Sequence, residues 1–432
     1  IARRLQNGDV NGDIRRALDG GATMGSRLGE IMNKEVFFIE GSRTSSEIIS
    51  VVAQKIRAEN WHRSRLDKII IVDKERRVTD LISFFDLWQA SDVRFKQIGI
   101  VGLGYVGLTL GLTLADIGFT VCGIDTNLRI TDNIKKRKPP FFEEGIETLL
   151  KDHVDKHFTV VSNFKNKNNC DVYFIAVGTP LNKKNTPSLA YVKKAAEELG
   201  GVLKQGDTVI LRSTVPLGTT RDVVAPILEK QSGLRVGEEF FIAFAPERTV
   251  EGKALQELRT LPQIVGGWNR ASANIAANIF SLMTDTVFLV DTLEEAEIVK
   301  LINNTYRDVT FAFANEAARI CRRWGIDTNK VIQAANAGYP RSSVPKPAPV
   351  GGYCLEKDPF IFIGAAQKKG HLSELFHQAR KTNTEIVKEI ASDITKFLYS
   401  QKGASKSKKI FILGFAFKGN PPTSDMRGSP TT

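Results

Sequence analysis

Gln97-Ile98-Gly99-Ile100-Val101-Gly102-Leu103-Gly104-Tyr105-Val106-Gly107, together with the residues from there to Asp125, decides the fold. Gln97 to Val101 is a short apolar run of strand type. Three glycines come next at the spacing G-x-G-x-x-G, then a helical stretch ending near Gly118. A second strand, Thr120 to Ile124, ends at Asp125. Each glycine has its own task. Gly102 makes the tight turn, Gly104 lets a pyrophosphate approach the backbone, and Gly107 lets the helix lie against the strand. The helix start at Tyr105 and Val106 offers unpaired N–H groups and a positive dipole end to phosphates. Asp125, 18 residues past Gly107, would accept ribose hydroxyls, which favours NAD over NADP. Strand, glycine loop, helix, strand and acid in this order form the Rossmann fingerprint, so an NAD-binding domain on a parallel sheet is expected.

The pattern of strand then polar loop recurs. Asp171 to Val177 leads into Gly178-Thr179-Pro180, and Thr208 to Leu211 into Arg212-Ser213-Thr214-Val215-Pro216. Phe240 to Phe244 leads into Ala245-Pro246-Glu247-Arg248-Thr249-Val250-Glu251-Gly252. Ligands of an open parallel sheet lie beyond the carboxyl ends of its strands. These hydroxyl-rich and acidic loops are therefore expected on the rim that carries the glycine loop. The NAD-binding domain is placed at residues 96–290.

Residues 291–400 read as helical. Thr292-Leu293-Glu294-Glu295 is a capping box. No Gly or Pro occurs after it until Gly325, so one helix of about 33 residues, roughly 50 Å long, is expected. Apolar residues occur on more than one face: Ile298, Ile302, Val309, Phe313 and Ala317, and also Val299, Phe311 and Ala318. A helix apolar on several faces is buried in a core or a partner, so this one is expected to link domains and pack against its own copy in a homodimer. Lys300 and Asn304 are one turn apart and share a face. They read either as edge residues reaching solvent or as donors aimed at developing negative charge. Further on, Gly351-Gly352-Tyr353-Cys354-Leu355-Glu356-Lys357-Asp358-Pro359 places a thiol behind a glycine pair. A helix beginning at or just after Cys354 would favour the thiolate, and Lys357 would add to that.

Length and composition fit several domains. The chain has 432 residues, 42% hydrophobic, enough for large cores. Cys122, Cys170, Cys321 and Cys354 are scattered, with no CxxC pair. This argues against a disulfide framework or a metal site and fits a cytoplasmic setting. No apolar run approaches a membrane span. The net charge is +12, with short runs at Lys135-Lys136-Arg137-Lys138 and Lys406-Ser407-Lys408-Lys409. They read as solvated surface and linker, suited at most to attracting anionic ligands. Nucleic acid is not implied, because no reader motif accompanies the charge. The chain opens on Ile1 and stops at Thr432 within a pattern, so a fragment cut at both ends is expected. Residues 401–432 hold a linker, the strand Ile410 to Gly414, and the start of a second Rossmann-like domain.

Residues 1–95 read as an α+β module. A helical stretch Ser45 to Glu59 precedes the strand Lys68 to Asp73, a turn at Glu75-Arg76-Arg77, and the hairpin partner Val78 to Ser83. This order resembles a cystathionine-β-synthase (CBS) repeat, as found attached to sugar nucleotidyltransferases. Ser83 and Asp86 match its adenosine-nucleotide signature. Val10 and Asp13 occupy the same places in a broken first repeat, where Val10 lacks the hydroxyl. The resemblance implies either an adenosine-nucleotide sensor or a purely structural, dimerising module.

From about residue 97 onward the chain resembles the nucleotide-sugar 6-dehydrogenases that act on UDP-glucose, GDP-mannose and UDP-N-acetylhexosamines. The resemblance rests on motifs in family order: Gly102 to Gly107, Gly178-Thr179-Pro180, Ser213 to Pro216, Pro246-Glu247-Arg248, Lys300 to Asn304, Gly351 to Asp358, and Phe417-Lys418 to Arg427. It implies a four-electron oxidation of a sugar C6 hydroxymethyl by NAD. Cys354 would capture the aldehyde and carry a thioester, which water hydrolyses to the uronate. Lys300 and Asn304 would stabilise the oxyanion, Asp358 would support Lys300 and the water, and Glu247 would serve hydrolysis. Glu251, Gly351 and Lys418 would meet the nucleotide sugar; Thr179, Thr214 and Arg427 would meet NAD. A thiol suits such chemistry because it holds the aldehyde while the second oxidation occurs. Leu181 stands where UDP-glucose enzymes usually carry a hydroxyl residue, which tilts the sugar toward a UDP-N-acetylhexosamine, whereas Glu251-Gly252 is closer to the UDP-glucose pattern. Because little of the last domain is present, the chain is expected to bind NAD and turn over poorly. Two other readings stand beside this one: a nucleotide-sensing or assembly protein with a relic dehydrogenase body, and a two-electron hydroxyacid dehydrogenase.

Overall fold

The computed structural model of the chain describes residues 38–41, 68–73, 77–83, 96–164, 170–400 and 410–411. Two compact units divide it, residues 1–91 and 92–432. In the first, β1 (Phe38–Glu40), β2 (Lys68–Val72) and β3 (Val78–Ser83) form one sheet. The expected hairpin is present as the antiparallel β2–β3 pair, and β1 pairs parallel to β2. Arg77 closes the turn by donating its backbone N–H and Nε to the Asp73 carboxylate, each at 2.8 Å. No sequence pattern announces β1, since three residues are too few to show a period. Val10, Asp13, the stretch 45–59 and Asp86 lie outside the described residues, so the CBS correspondences find no support there.

The second unit begins with the dinucleotide fingerprint. β4 (Gln97–Val101), α1 (Tyr105–Asp116), β5 (Thr120–Ile124), α2 (Leu128–Lys135), α3 (Ile146–His153) and β6 (Phe158–Val161) form its first half. β7 (Val172–Ile175), α4 (Ala190–Gly200), β8 (Thr208–Leu211), a π-turn at Thr220–Val224 leading into α5 (Ala225–Ser232), and β9 (Phe241–Phe244) form the second. α6 (Ala254–Thr260), β10 (Gln263–Gly267), α7 (Arg270–Ser281) and β11 (Val287–Val290) extend it. The eight strands run in the order β6-β5-β4-β7-β8-β9-β10-β11. Neighbours from β6 to β9 are parallel, and β10 turns antiparallel to β9. Every residue of β7, β8 and β9 is buried, as strands covered by helices on both faces must be. The strand order reverses between β4 and β7, which opens a crevice at their carboxyl ends.

The chain then leaves the sheet along α8 (Leu293–Arg323), 31 residues long, or about 46 Å. Thr292 and Glu295 cap it with both reciprocal bonds of the expected capping box. α9 (Thr328–Asn336), α10 (Tyr353–Lys368) and α11 (Glu374–Ser400) complete the unit, with α10 and α11 packed along α8. In the single chain α8 is buried over only part of its surface. Leu293, Ala296, Leu301, Ala312, Ala314 and Ala318 are buried, but Ile302, Tyr306, Phe313, Ile320 and Trp324 are exposed.

Candidate active site

At the glycine loop a Cβ on Gly107 would lie 1.8 Å from the Gly102 carbonyl oxygen, so only glycine lets α1 sit this close. Around Gly104 nothing lies within 4 Å of such a Cβ, leaving room for a ligand to approach the backbone. Asp125 follows β5 directly; its Oδ2 accepts the Leu103 N–H at 2.7 Å and its Oδ1 the Asn127 N–H at 2.8 Å. Each oxygen keeps a lone pair for a ribose hydroxyl. Gly102, Gly104, Asp125, Asn127 and Tyr191 line one cavity. The residues present therefore fit a dinucleotide.

A second cavity shares Gly104, Ala176, Val177 and Gly178 with the first. It adds Tyr105, Val106, Thr179, Thr214, Glu247, Glu251, Lys300, Cys354 and Lys357. Expected site residues spread from the glycine loop to α10 thus face one space. Lys300, in the second turn of α8, is 7% exposed and borders this cavity and a third. Asn304 lines only the third, and its Nδ2 donates to Asp358 Oδ2 at 2.6 Å. Asp358 is fully buried, with Oδ1 3.7 Å from Lys357 Nζ. Gly351 is half-buried and does not line the cavity. Lys418 and Arg427 lie outside the described residues.

Cys354 sits in the first turn of α10, just past Gly352, whose φ of 91° is open to glycine alone at little cost. The helix starts at Tyr353, one residue ahead of the expected place, and the expected lowering of the thiol's pKa is outweighed by burial. The crowded walls push the Cys354 pKa up, Lys300 pulls it down, Asp358 pushes it up again, Lys357 pulls it down and Glu251 raises it; the net direction is upward. Cys354 as a residue is nevertheless exposed, which moderates the burial effect. Lys357 is itself buried. Its Nζ donates to Thr179 Oγ1 at 2.9 Å and lies 4.8 Å from the Tyr353 ring centroid. Burial lowers its pKa, against the raising effect of Asp358 and Cys354. Thr179 in turn donates to the Thr214 carbonyl at 2.6 Å, so the two cofactor loops and the thiol's helix share one hydrogen-bonded chain.

Several functional side chains escaped the sequence reading. Arg212, 1% exposed, donates Nη2 and Nε to Glu247 Oε2 at 2.7 and 3.1 Å. Burial pushes the Glu247 carboxyl up, but Arg212, the Thr249 N–H and Lys300 outweigh it and hold the pKa below the usual range. Glu247 is therefore an anchored anion. Tyr105 is more than a cofactor contact: its hydroxyl donates to the buried Glu143 carboxylate and accepts the Gly252 N–H at 3.0 Å. That ties the glycine loop to the Glu247–Gly252 loop. Glu297 on α8 takes the N–H groups of Gly218 and Thr220 and the Thr220 hydroxyl at 2.6, 2.9 and 2.6 Å. The third cavity brings Arg248 and Arg307 beside Lys300 and Asn303, a cationic pocket no local pattern announced.

A nucleotide-binding sheet joined to a thiol, an ammonium and a carboxylate in one cleft defines a dinucleotide-dependent oxidoreductase. Comparison with known proteins agrees. Residues 96–284 match the NAD binding domain of the UDP-glucose/GDP-mannose dehydrogenase family, and residues 294–385 its central domain. The chain is 34% identical to protein CapL of Staphylococcus aureus over 337 residues, 77% of each chain. It is 33% identical to the UDP-N-acetyl-D-mannosamine dehydrogenase of Pyrococcus horikoshii over 337 residues, 77% of this chain and 78% of that protein. A solved structure of the P. horikoshii UDP-D-ManNAc dehydrogenase superposes with a TM-score of 0.72 at 32% identity, covering 77% of this chain and 78% of that one. The chain belongs to the UDP-glucose/GDP-mannose dehydrogenase family. It is an NAD-dependent nucleotide-sugar 6-dehydrogenase.

Proposed function

We propose that this protein oxidises the C6 hydroxymethyl of a UDP-N-acetylhexosamine to the uronic acid through a thioester on Cys354. The observation that carries the reading is the shared cleft, in which Cys354, Lys300 and Glu247 face the rim of the glycine loop. Gly102, Gly104, Asp125 and Thr214 would hold NAD, which would supply a hydride acceptor for each of two oxidations. The Cys354 thiol adds across the C6 aldehyde: sulfur bonds to carbon as the C=O π bond opens, and the proton ends on the former carbonyl oxygen. The resulting thiohemiacetal holds the sugar in place, and its oxidation leaves a thioester open to water. Lys300 stabilises the oxyanion at each addition, with Asn304 set by Asp358 behind it. Glu247, anchored by Arg212, orients the water rather than taking its proton unaided, because a depressed pKa makes a weak base. Arg248 and Arg307 give the third cavity a charge suited to an anionic diphosphate.

The UDP-N-acetyl-D-mannosamine and UDP-N-acetyl-D-glucosamine names of relatives at 32 to 33% identity support the acetamido sugar, as does Leu181. UDP-glucose remains the second choice, on Glu251-Gly252. The division at 96–290, 291–400 and 401–432 is part of the same proposal, as are a homodimer through α8 and a cytoplasmic location. Among the described residues no helix is long and apolar enough to cross a membrane. For residues 1–95 the CBS-like, adenosine-nucleotide reading rests on the β2–β3 hairpin alone; calorimetry with AMP and ATP tests it. The substrate is tested by NADH release across UDP-N-acetylmannosamine, UDP-N-acetylglucosamine, UDP-glucose and GDP-mannose. The fastest turnover is expected with an acetamido sugar, and a clear preference for UDP-glucose or GDP-mannose would overturn that choice.

A further inference from the structure

The segment that delivers Cys354 is gripped from behind by a polar network outside the cleft. Asn315 of α8, fully buried, donates Nδ2 to the Ala348 carbonyl and accepts the Ala348 N–H at Oδ1, each at 3.0 Å. Asn383 of α11 receives a second Asn315 bond at 3.0 Å and donates to Asp308 Oδ1 at 2.8 Å. Asp308, also fully buried, accepts Arg380 Nη1 at 2.6 Å. Arg380 Nη1 then reaches the Leu355 carbonyl at 3.2 Å.

That last contact has a cause in the sequence. In a helix the Leu355 carbonyl would accept the N–H four residues on, but that residue is Pro359, inside α10, and proline has no N–H. An orphan carbonyl in a buried turn costs free energy unless another donor meets it. Arg380, 7% exposed and anchored by Asp308, is that donor.

We propose that Arg380, Asp308 and Asn315 are positioning residues that hold the backbone on both sides of Gly351-Gly352-Tyr353-Cys354, at Ala348 and at Leu355, and so set where the sulfur stands in the cleft. Pro359 frees the carbonyl that Arg380 grips. The inference builds on the reading of Cys354 as nucleophile, but its geometry stands apart from the chemistry.

The test uses two readouts, NADH release and the rate of Cys354 alkylation by iodoacetamide, monitored by peptide mass. Arg380→Met is expected to lower kcat by up to about 100-fold, the effect of an ångström-scale misplacement, with KM for NAD unchanged. The alkylation rate changes as well, because the sulfur moves. Pro359→Ala restores an N–H at position 359, so P359A/R380M is expected to recover several-fold toward wild type in both readouts. A buried ion pair that merely stabilised the fold would not be rescued this way. If R380M does not fold, Arg380→Lys, which keeps charge beside Asp308 but loses the fork, carries the same comparison with and without P359A. An R380M or R380K protein with wild-type kcat and alkylation, or no recovery on adding P359A, overturns the proposal. Should Cys354→Ser prove fully active, the nucleophile reading fails, while the alkylation comparison still decides the clamp.

Discussion

Single residues in the cleft owe their chemistry to partners far away in sequence. Arg212 and Glu247 are 35 positions apart, and each offsets the charge of the other in a buried site. Removing one partner of a buried pair leaves an uncompensated charge, a loss of about 3–5 kcal/mol. Arg212→Met should therefore lower stability by that order in urea unfolding, whereas a loss under about 1 kcal/mol, the range of an exposed pair, would show Arg212 to be a bystander. Arg212 stood in plain view at the end of β8, yet its sequence context read as a polar loop. Only the fold reveals that Ala245, Glu247 and Gln263 surround it. The same holds for Cys354. Its place at a helix start was legible from Gly351-Gly352, but its ionisation was not, because Lys300 and Glu251 reach it from other elements.

Elements were legible where the signal is local. The capping box at Thr292 and Glu295, the apolar strands β7 and β8, and the glycine loop all arise from neighbouring residues, and the structure bears them out. The reversal of β10 against β9 depends on how a loop crosses and left no pattern to read. The joint between α8 and the turn before α5 was equally hidden. There Glu297, 1% exposed, accepts three bonds while burial pushes its pKa up to about 7. A carboxyl raised in the folded state binds its proton more tightly than in the unfolded chain. Its contribution to stability is therefore complete below about pH 4.5, the ordinary range, and is lost as pH rises through about 7, by at most about 3 kcal/mol. Wild-type protein should lose stability between about pH 4.5 and 7, and Glu297→Gln should flatten that slope. Equal slopes in the two proteins would show that Glu297 does not titrate in this window.

For the molecule as a whole, two features extend beyond any one element. Ile302, Tyr306, Phe313, Ile320 and Trp324 fall on one stripe of α8 and stay exposed, an apolar line that fits a second copy of the chain. The wild type is expected to sediment as a dimer and Phe313→Glu as a monomer; a wild-type monomer, or an unchanged sedimentation coefficient in the variant, would contradict an interface on this stripe. The other feature is the convergence itself, in which loops after β4, β7, β8 and β9 meet the starts of α8 and α10 around one thiol. Motif order made that convergence readable, since every rim loop comes after a strand; its depth, with Asp358 and Asn304 set behind the thiol, came only with packing. The most direct test counts NADH released per nucleotide sugar consumed. Two NADH per uronate in the wild type, with no uronate from Cys354→Ser, is the predicted result; one NADH per sugar, or uronate at the wild-type rate without the thiol, would contradict it.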